Sequence, residues 1–278
     1  MEIDHFFKTI ISGSTNVLYT NRNDRRGRWL IRKKGITQPI VTRIWRKAVK
    51  TVMPSIVIDI GMNYGEIVLS TNYPKHVEIV GIEANQGLEP YITKSINEHP
   101  NREQMNVIYA FASNENLTNT KFYVDLDFSG ISSGTLNQAK NQKEAIVKNV
   151  KIDSLFAQKE LKAERVLFKI DIEGHEANAL KGMERLLKES AGSIGIIEFD
   201  NRYLQNAGTI IDEFMELLGR YFSVYHPRRN RIIKFSTVNL QTLKSYFKKS
   251  YFHANLLLTT KEEYVSKLGY QITEYPSQ

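Results

Sequence analysis

Residues 55–66 read SIVIDIGMNYGE, an unbroken β-branched apolar run closed by a turn of the form D-x-G-x-N-x-G. A run with no polar alternation suits a strand buried on both faces. IGIIEF at 194–199 has the same character. Working outward from these, strands are expected at Ile56–Ile60, Glu78–Ile82, Asn106–Ala110, Val166–Ile170 and Ser193–Phe199. Between them, helical patterns fall near 65–72, 88–98, 176–189 and 209–219. Such alternation predicts a parallel sheet with right-handed crossovers. Lys121–Leu126 and Asn149–Ile152 add strands around a loop at 127–148. The tail offers antiparallel candidates at Tyr221–Tyr225, Ile232–Phe235 and Ala254–Leu258. The expected fold is α/β, a mostly parallel open sheet with an antiparallel C-terminal edge.

Upstream of this core, Ile3, Phe6, Phe7, Ile10 and Ile11 match one helical face. A polar stretch runs to about Gly35, and a second helical pattern, Ile40 to Val52, stops before Pro54. Residues 1–53 are therefore expected as a helical basic extension, with the main domain at 54–278.

The chain has 278 residues, 38 Lys and Arg against 30 Asp and Glu, and no cysteine. Disulfide frameworks, Cys-ligated metals and thiol nucleophiles are excluded, and the length supports an unaided core. The basic excess is local: residues 22–50 hold eleven Lys and Arg and one acid, Asp24. The pI thus describes one segment and is poor support for a nucleic-acid-binding domain. No apolar run is long enough for a membrane span, and the opening MEIDHFFKTI lacks the basic start of a signal peptide. A soluble cytoplasmic protein is the simplest expectation.

Ligands of open α/β sheets sit beyond the carboxyl ends of the strands. After the first strand, Asp59 stands where a dinucleotide fingerprint has its first glycine, which suits a cationic ligand better than a pyrophosphate. Glu83 ends the second strand, where an acid can accept ribose hydroxyl protons. Together these suggest S-adenosylmethionine; a plain glycine turn and a capping acid are the alternative. After the fourth strand, KIDIEGHE at 169–176 turns Lys169, Asp171 and Glu173 to one side. Converging buried charges need partners. Glu176 is expected only to favour the helix N-terminus.

VIDIGMNYGEIVLS (57–70), GIEAN (81–85), GISSGTL (130–136), VKIDSLF (150–156), VLFKIDIEGHEANALKGMERLL (166–187) and IGIIEF together resemble the FkbM family of methyltransferases. The resemblance covers about residues 55–200. It implies a Rossmann-like seven-stranded methyltransferase sheet and O-methylation with S-adenosylmethionine, often of sugar hydroxyls in glycans, glycolipids or natural products. Asp59, Gly61, Asn63 and Gly65 would then line the methionine end of the cofactor, Glu83 the ribose, and Ser113 and Asn114 the adenine. Ala84 and Asp171 would also lie against the cofactor. This chain departs from the usual pattern in having Ala84-Asn85 where a Glu-Pro pair is common, and Asn114 where an Asp often stands.

Methyl transfer to an alcohol is helped by alignment and by a base. The candidates are Asp171, Glu173, His175 and Glu198, with Lys169 holding a carboxylate ionised. His175 is equally open to a structural reading. In a metal-assisted variant, Asp171, Asp200 and Asn201 would hold Mg²⁺; the alternative is that Asp200 and Asn201 cap the next turn. Loop 127–148, with Gly130, Ser132, Ser133 and Gly134, and the turn His226–Arg231 are the expected walls for the acceptor. The basic extension admits peripheral contact with an anionic membrane, capture of a phosphorylated or lipid-linked acceptor, or a solvated face. The rival functions are a nucleic-acid (RNA) methyltransferase, against which the absence of an NPPY-type motif speaks, and a non-catalytic binding module.

Overall fold

A computed structural model describes residues 6–137 and 141–276. The chain opens with an antiparallel hairpin, β1 (Phe6–Ile10) and β2 (Val17–Asn21), followed by helices α1 (Arg25–Arg32) and α2 (Pro39–Thr51). The helix expected over residues 3–11 is thus corrected to a strand over its described part; Ile3 lies outside the described residues. Its apolar spacing fits a helix, but the turn at Gly13, with φ +74°, lets the segment pair with β2. Phe6 packs on Tyr91, ring centroids 4.8 Å apart. The stretch read as polar connection holds β2 and α1. Asp24 caps α1 through Arg26 N, and Pro39 opens α2 at a position where a missing N–H costs nothing.

The sheet begins with β3 (Ile56–Ile60) and β4 (Glu78–Glu83), then α3 (Glu89–Asn97) and β5 (Met105–Tyr109). The helix expected near 65–72 is only a short 3₁₀ turn, Val68–Ser70. Ser70 Oγ bonds back to Ile67 O and Arg46 takes the Ser70 carbonyl, ending the turn. Two small pairings follow: β6 (Phe111–Ser113) with β9 (Asn149–Lys151), and β7 (Thr120–Asp125) with β8 (Gln142–Val147). After the single-turn α4 (Ile152–Leu155) comes β10 (Arg165–Ile170), then α5 (Glu176–Lys181) and α6 (Glu184–Glu189). These two were expected as one helix. At Gly182 a Cβ would lie 2.0 Å from Ser113 O, so the helix breaks where it presses on β6.

The chain continues through β11 (Gly192–Asp200), α7 (Asn201–Asn206), α8 (Ile211–Tyr221), β12 (Ser223–Pro227) and β13 (Arg231–Phe235). It closes with α9 (Leu240–Phe247), β14 (His253–Thr259), α10 (Glu262–Ser266) and β15 (Gln271–Tyr275). The main sheet has nine strands in the order β15-β13-β12-β14-β11-β10-β3-β4-β5, which corrects the expected seven. The five from β11 to β5 are parallel, and β14, β12 and β13 form the antiparallel edge. β15 adds to β13 because Ile272 pairs beside Ile232. Strand order reverses between β3 and β10, which opens a crevice at their carboxyl ends.

Alternate residues feed two cores. Ile56, Ile58, Val166 and Phe168 face one layer; Val57 and Leu167 face the other. That second layer is filled largely by the first fifty residues, with Ile11, Leu18, Leu30, Ile44 and Trp45 packed among sheet residues. No helix among the described residues is long and apolar enough to cross a membrane.

Candidate active site

The crevice holds a cavity of about 480 Å³, within the range of small-molecule sites. Its floor depends on Gly61. A Cβ there would lie 1.9 Å from Asp171 O, and the backbone has φ +73°, so the chains leaving β3 and β10 touch only because residue 61 lacks a side chain. Asn63, also at positive φ, lines the cavity, while Gly65 turns the chain just outside it. Asp59 sits beneath the floor rather than on it, buried, 3.8 Å from Lys169 Nζ. Burial pushes its pKa up to about 6, against the pull of Lys169.

Glu83 lines the cavity beside Ala84. Its Oε2 accepts from Asn63 N at 2.8 Å and its Oε1 from Asn85 N at 2.7 Å. Burial raises it to about 7 despite those bonds.

The end of β10 supplies the charged centre. Lys169 Nζ lies 2.9 Å from Asp171 Oδ2, which also accepts from Gln38 Nε2 at 3.1 Å. Burial alone would raise Asp171; Lys169 and the Gln38 bond outweigh it and bring it to about 2. Burial likewise opposes the Lys169 charge, and the two aspartates hold its pKa above the usual value. Asp171, Glu173 and Glu198 each offer a carboxylate oxygen within 4.8 Å of the others. Glu198, at the end of β11, is buried, and this burial together with the neighbouring acids raises its pKa well above the carboxylate range. Its Oε1 is 3.4 Å from His253 Nε2. Glu176 folds back so that its carboxylate accepts from Ile172 N and Gly174 N, stapling the turn.

Five further expected residues are placed elsewhere. His175 packs edge-on against Phe111, near Thr135, off the cavity, and burial lowers its pKa to about 4. Ser113 and Asn114 bond each other at 3.2 Å away from the cavity, and β6 contributes Phe111 and Ala112 instead. Asp200 caps α7, and Asn201 bridges Ser250 O and Phe252 N. The Mg²⁺ set of Asp171, Asp200 and Asn201 therefore does not converge; the acids that meet are Asp171, Glu173 and Glu198. The turn 226–231 also fails to line the cavity, whereas Ser129, Gly130, Ile131 and Ser132 of the loop do.

The walls that sequence reasoning missed come from both ends of the chain. Arg26, Trp29, Thr37 and Gln38 form one side. They are tied down by Glu66, which accepts from Arg26 Nη2 at 2.9 Å, Thr37 N and Oγ1, and Gln38 N. Asp24 binds Ser129 N and Oγ and Tyr64 Oη at 2.6–3.0 Å, clasping α1 to the floor. From β14, His253 and Asn255 stand opposite Asp200 and Glu198. Two polar residues at i and i+2 of an apolar strand were the available signal for this pair. Gln38 Oε1, Asn63 Oδ1 and Asn255 Oδ1 are buried without a hydrogen-bond partner. Two of these amides have their orientation set by neighbours. Gln38 must give its NH₂ to Asp171; Ser129 Oγ donates to Asp24 and so must accept from Asn63.

The sequence pattern of the methyltransferase FkbM domain matches residues 59–224. The chain belongs to the FkbM methyltransferase family. No curated protein matches it in sequence. Among solved structures it is similar to an FkbM methyltransferase from Methylobacillus flagellatus KT, 13% identical with TM-score 0.44. That alignment covers 74% of this chain and 43% of the other. It is also similar to an O-methyltransferase from Bacillus cereus in complex with SAH: 12% identity, TM-score 0.45, covering 81% and 82% of the two chains. A third is the O-methyltransferase TomG from Streptomyces achromogenes, in complex with SAM: 14% identity, TM-score 0.43, covering 82% and 83%. The FkbM region carries Glu83, Lys169, Asp171, Glu173 and Glu198. Arg26, Trp29, Gln38, His253 and Asn255 all lie outside it.

Proposed function

We propose that this FkbM methyltransferase binds S-adenosylmethionine and transfers its methyl to a hydroxyl of a sugar, glycolipid or natural product. The observation that carries this reading is the joining, in one cavity, of the Glu83 carboxylate with the Asp171–Glu173–Glu198 group. The fit is supported by the close approach at Gly61 and by three buried amide oxygens lacking donors. Unmet buried acceptors are costly, and a ligand rich in N–H and O–H groups would satisfy them. Bound here, the cofactor would supply a methyl activated by a sulfonium.

Glu83 would accept hydroxyl protons of the ribose, held rigid by Asn63 N and Asn85 N. Asp171, ionised and clamped by Lys169 and Gln38, is too weak a base to remove an alcohol proton and instead places fixed negative charge on the floor. Glu198 is the better base: with its pKa raised by burial and the neighbouring acids, it holds a proton more strongly than Asp171 does. It would take the acceptor's proton on its carboxylate, with His253 beside Oε1 as an onward path to solvent. Trp29 and Phe128, ring centroids 6.2 Å apart, offer apolar faces at the wall that would exclude water. An acidic floor is a poor seat for a phosphodiester chain, which disfavours the nucleic-acid reading.

The test is titration with S-adenosylmethionine, followed by transfer of labelled methyl into a panel of sugars, glycolipids and RNA. Glu198→Gln should keep cofactor affinity and lower kcat by about 10²–10⁴-fold. Undiminished transfer in that variant removes Glu198 as base, and absence of cofactor binding by the wild type removes the function.

A further inference from the structure

A second groove, about 350 Å³, runs along the outer face of α2 and is lined by Ser12, Thr42, Arg43, Arg46, Lys47 and Lys50. Its cations recur at one-turn spacing on a single helix face. Three are braced by backbone carbonyls: Arg43 on Arg229 O at 2.9 Å, Arg46 on Ser70 O and Ser12 O, Lys47 on Leu268 O at 2.8 Å. Lys47 also lies over the Tyr270 ring at 4.0 Å. Neutral carbonyls orient these side chains without cancelling their charge. None of the four makes an ion pair among the described residues. Arg26 shows the contrast, since on the same segment it is matched to Glu66 at 2.9 Å. Gly13 leaves space for the Arg46 guanidinium, which a Cβ there would meet at 2.8 Å.

Four like charges gathered in a concavity repel one another until an anion enters. Arginine forks and lysine ammonium groups suit the several oxygens of a phosphoryl group. The groove meets the methyl-transfer cavity at Pro39, which lines both. We propose that the α2 groove binds a phosphoryl or pyrophosphoryl group carried by the acceptor, while the hydroxyl to be methylated enters the adjoining cavity. This rests on the methyl-transfer reading above. It also gives the segment's localised charge a use that neither the cofactor nor the floor requires.

The probe is inorganic pyrophosphate, titrated into the full chain at about 0.15 M salt, where diffuse attraction is screened. Wild type should bind it saturably, and Arg43→Gln with Lys50→Glu should weaken binding by about tenfold or more. Neither residue belongs to the sheet or the floor, so cofactor affinity, measured in parallel, should be unchanged. No binding, or equal binding by both proteins, overturns the groove. Pairs of sugar and sugar-phosphate acceptors test the link to catalysis: the phosphorylated member should have the lower KM, and the double variant should erase the difference. Equal KM values in the wild type overturn that link. Flotation with phosphatidylglycerol and phosphatidylcholine vesicles separates the sources. Capture by the anionic vesicles alone, lost in the variant, assigns the group to a lipid headgroup; pyrophosphate binding without capture assigns it to a soluble acceptor. Should the wild type bind pyrophosphate but no S-adenosylmethionine, the methyl-transfer reading fails while the anion site stands.

Discussion

The floor of the cavity and its N-terminal wall are built from different chemistry. On the floor, Lys169 lies 2.9 Å from Asp171 and 3.8 Å from Asp59, with Glu173 and Glu198 close by. The wall is held by two buried acids, Asp24 bonded to Ser129 and Tyr64, and Glu66, which accepts from residues 26–38 and pairs with Arg26. The floor falls within the FkbM region, and Arg26, Trp29 and Gln38 of the wall do not. In the methyl-transfer proposal, the charged floor fixes what kind of chemistry the cavity performs. Wall residues without a bond to that floor, such as Trp29 and Thr37, can be altered to suit an acceptor without disturbing that charge balance. Gln38 joins the two, since its NH₂ is the wall's only bond to Asp171 among those described.

The largest expected effect falls on the floor. Asp171→Asn leaves the Lys169 ammonium buried with the more distant Asp59 as its remaining ion pair among the described residues, and unfolding in urea should show a loss of about 3 kcal/mol. In the wild type, the Asp171 contribution should be complete above its ordinary value of 3.8 and be lost as pH falls towards about 2. A variant as stable as the wild type would mean that charge does not hold the floor. Next comes the wall: Asp24→Asn should cost about 2 kcal/mol, because it weakens bonds to Ser129, Tyr64 and Arg26 at once. Trypsin should then cut within residues 22–50 sooner, with cofactor affinity kept; an unchanged digestion pattern would show that the wall is held by its apolar packing alone. The smallest effect concerns Glu83. Its carboxyl is raised to about 7, so it keeps its proton in weakly acidic solution, where it cannot offer both oxygens to ribose hydroxyls. Cofactor affinity should therefore fall by up to about tenfold per pH unit below about 7. Glu83→Gln should be weaker and flat with pH, and an identical slope in that variant would place the titration on another group.

Much of the floor was legible along the chain. Period-two alternation put Lys169, Asp171 and Glu173 together, and the strand-end rule placed Glu83 and Glu198 at the same edge. His175 misled because its neighbours in sequence are at the cavity, while the turn at Glu173 and Gly174, both at positive φ, sends it towards Phe111 instead. Asp200 and Asn201 were open to a metal or a capping reading; capping α7 and holding Ser250 and Phe252 use their polar atoms. The opening residues misled for another reason. Phe6, Phe7 and Ile10 follow a helical period, and pairing with β2 overrides it.

Local order along the chain therefore determined the parallel sheet, its switch point and the acids at the strand ends, because burial on two faces and side-chain alternation are written into consecutive residues. Only the tertiary structure decided that residues 24–38 and 253–255 enclose the same cavity, that Asp59 lies below it, and that the α2 cations share a groove opening beside it. The first two relations join positions more than a hundred residues apart, and no periodicity records which distant surfaces a folded chain brings into contact.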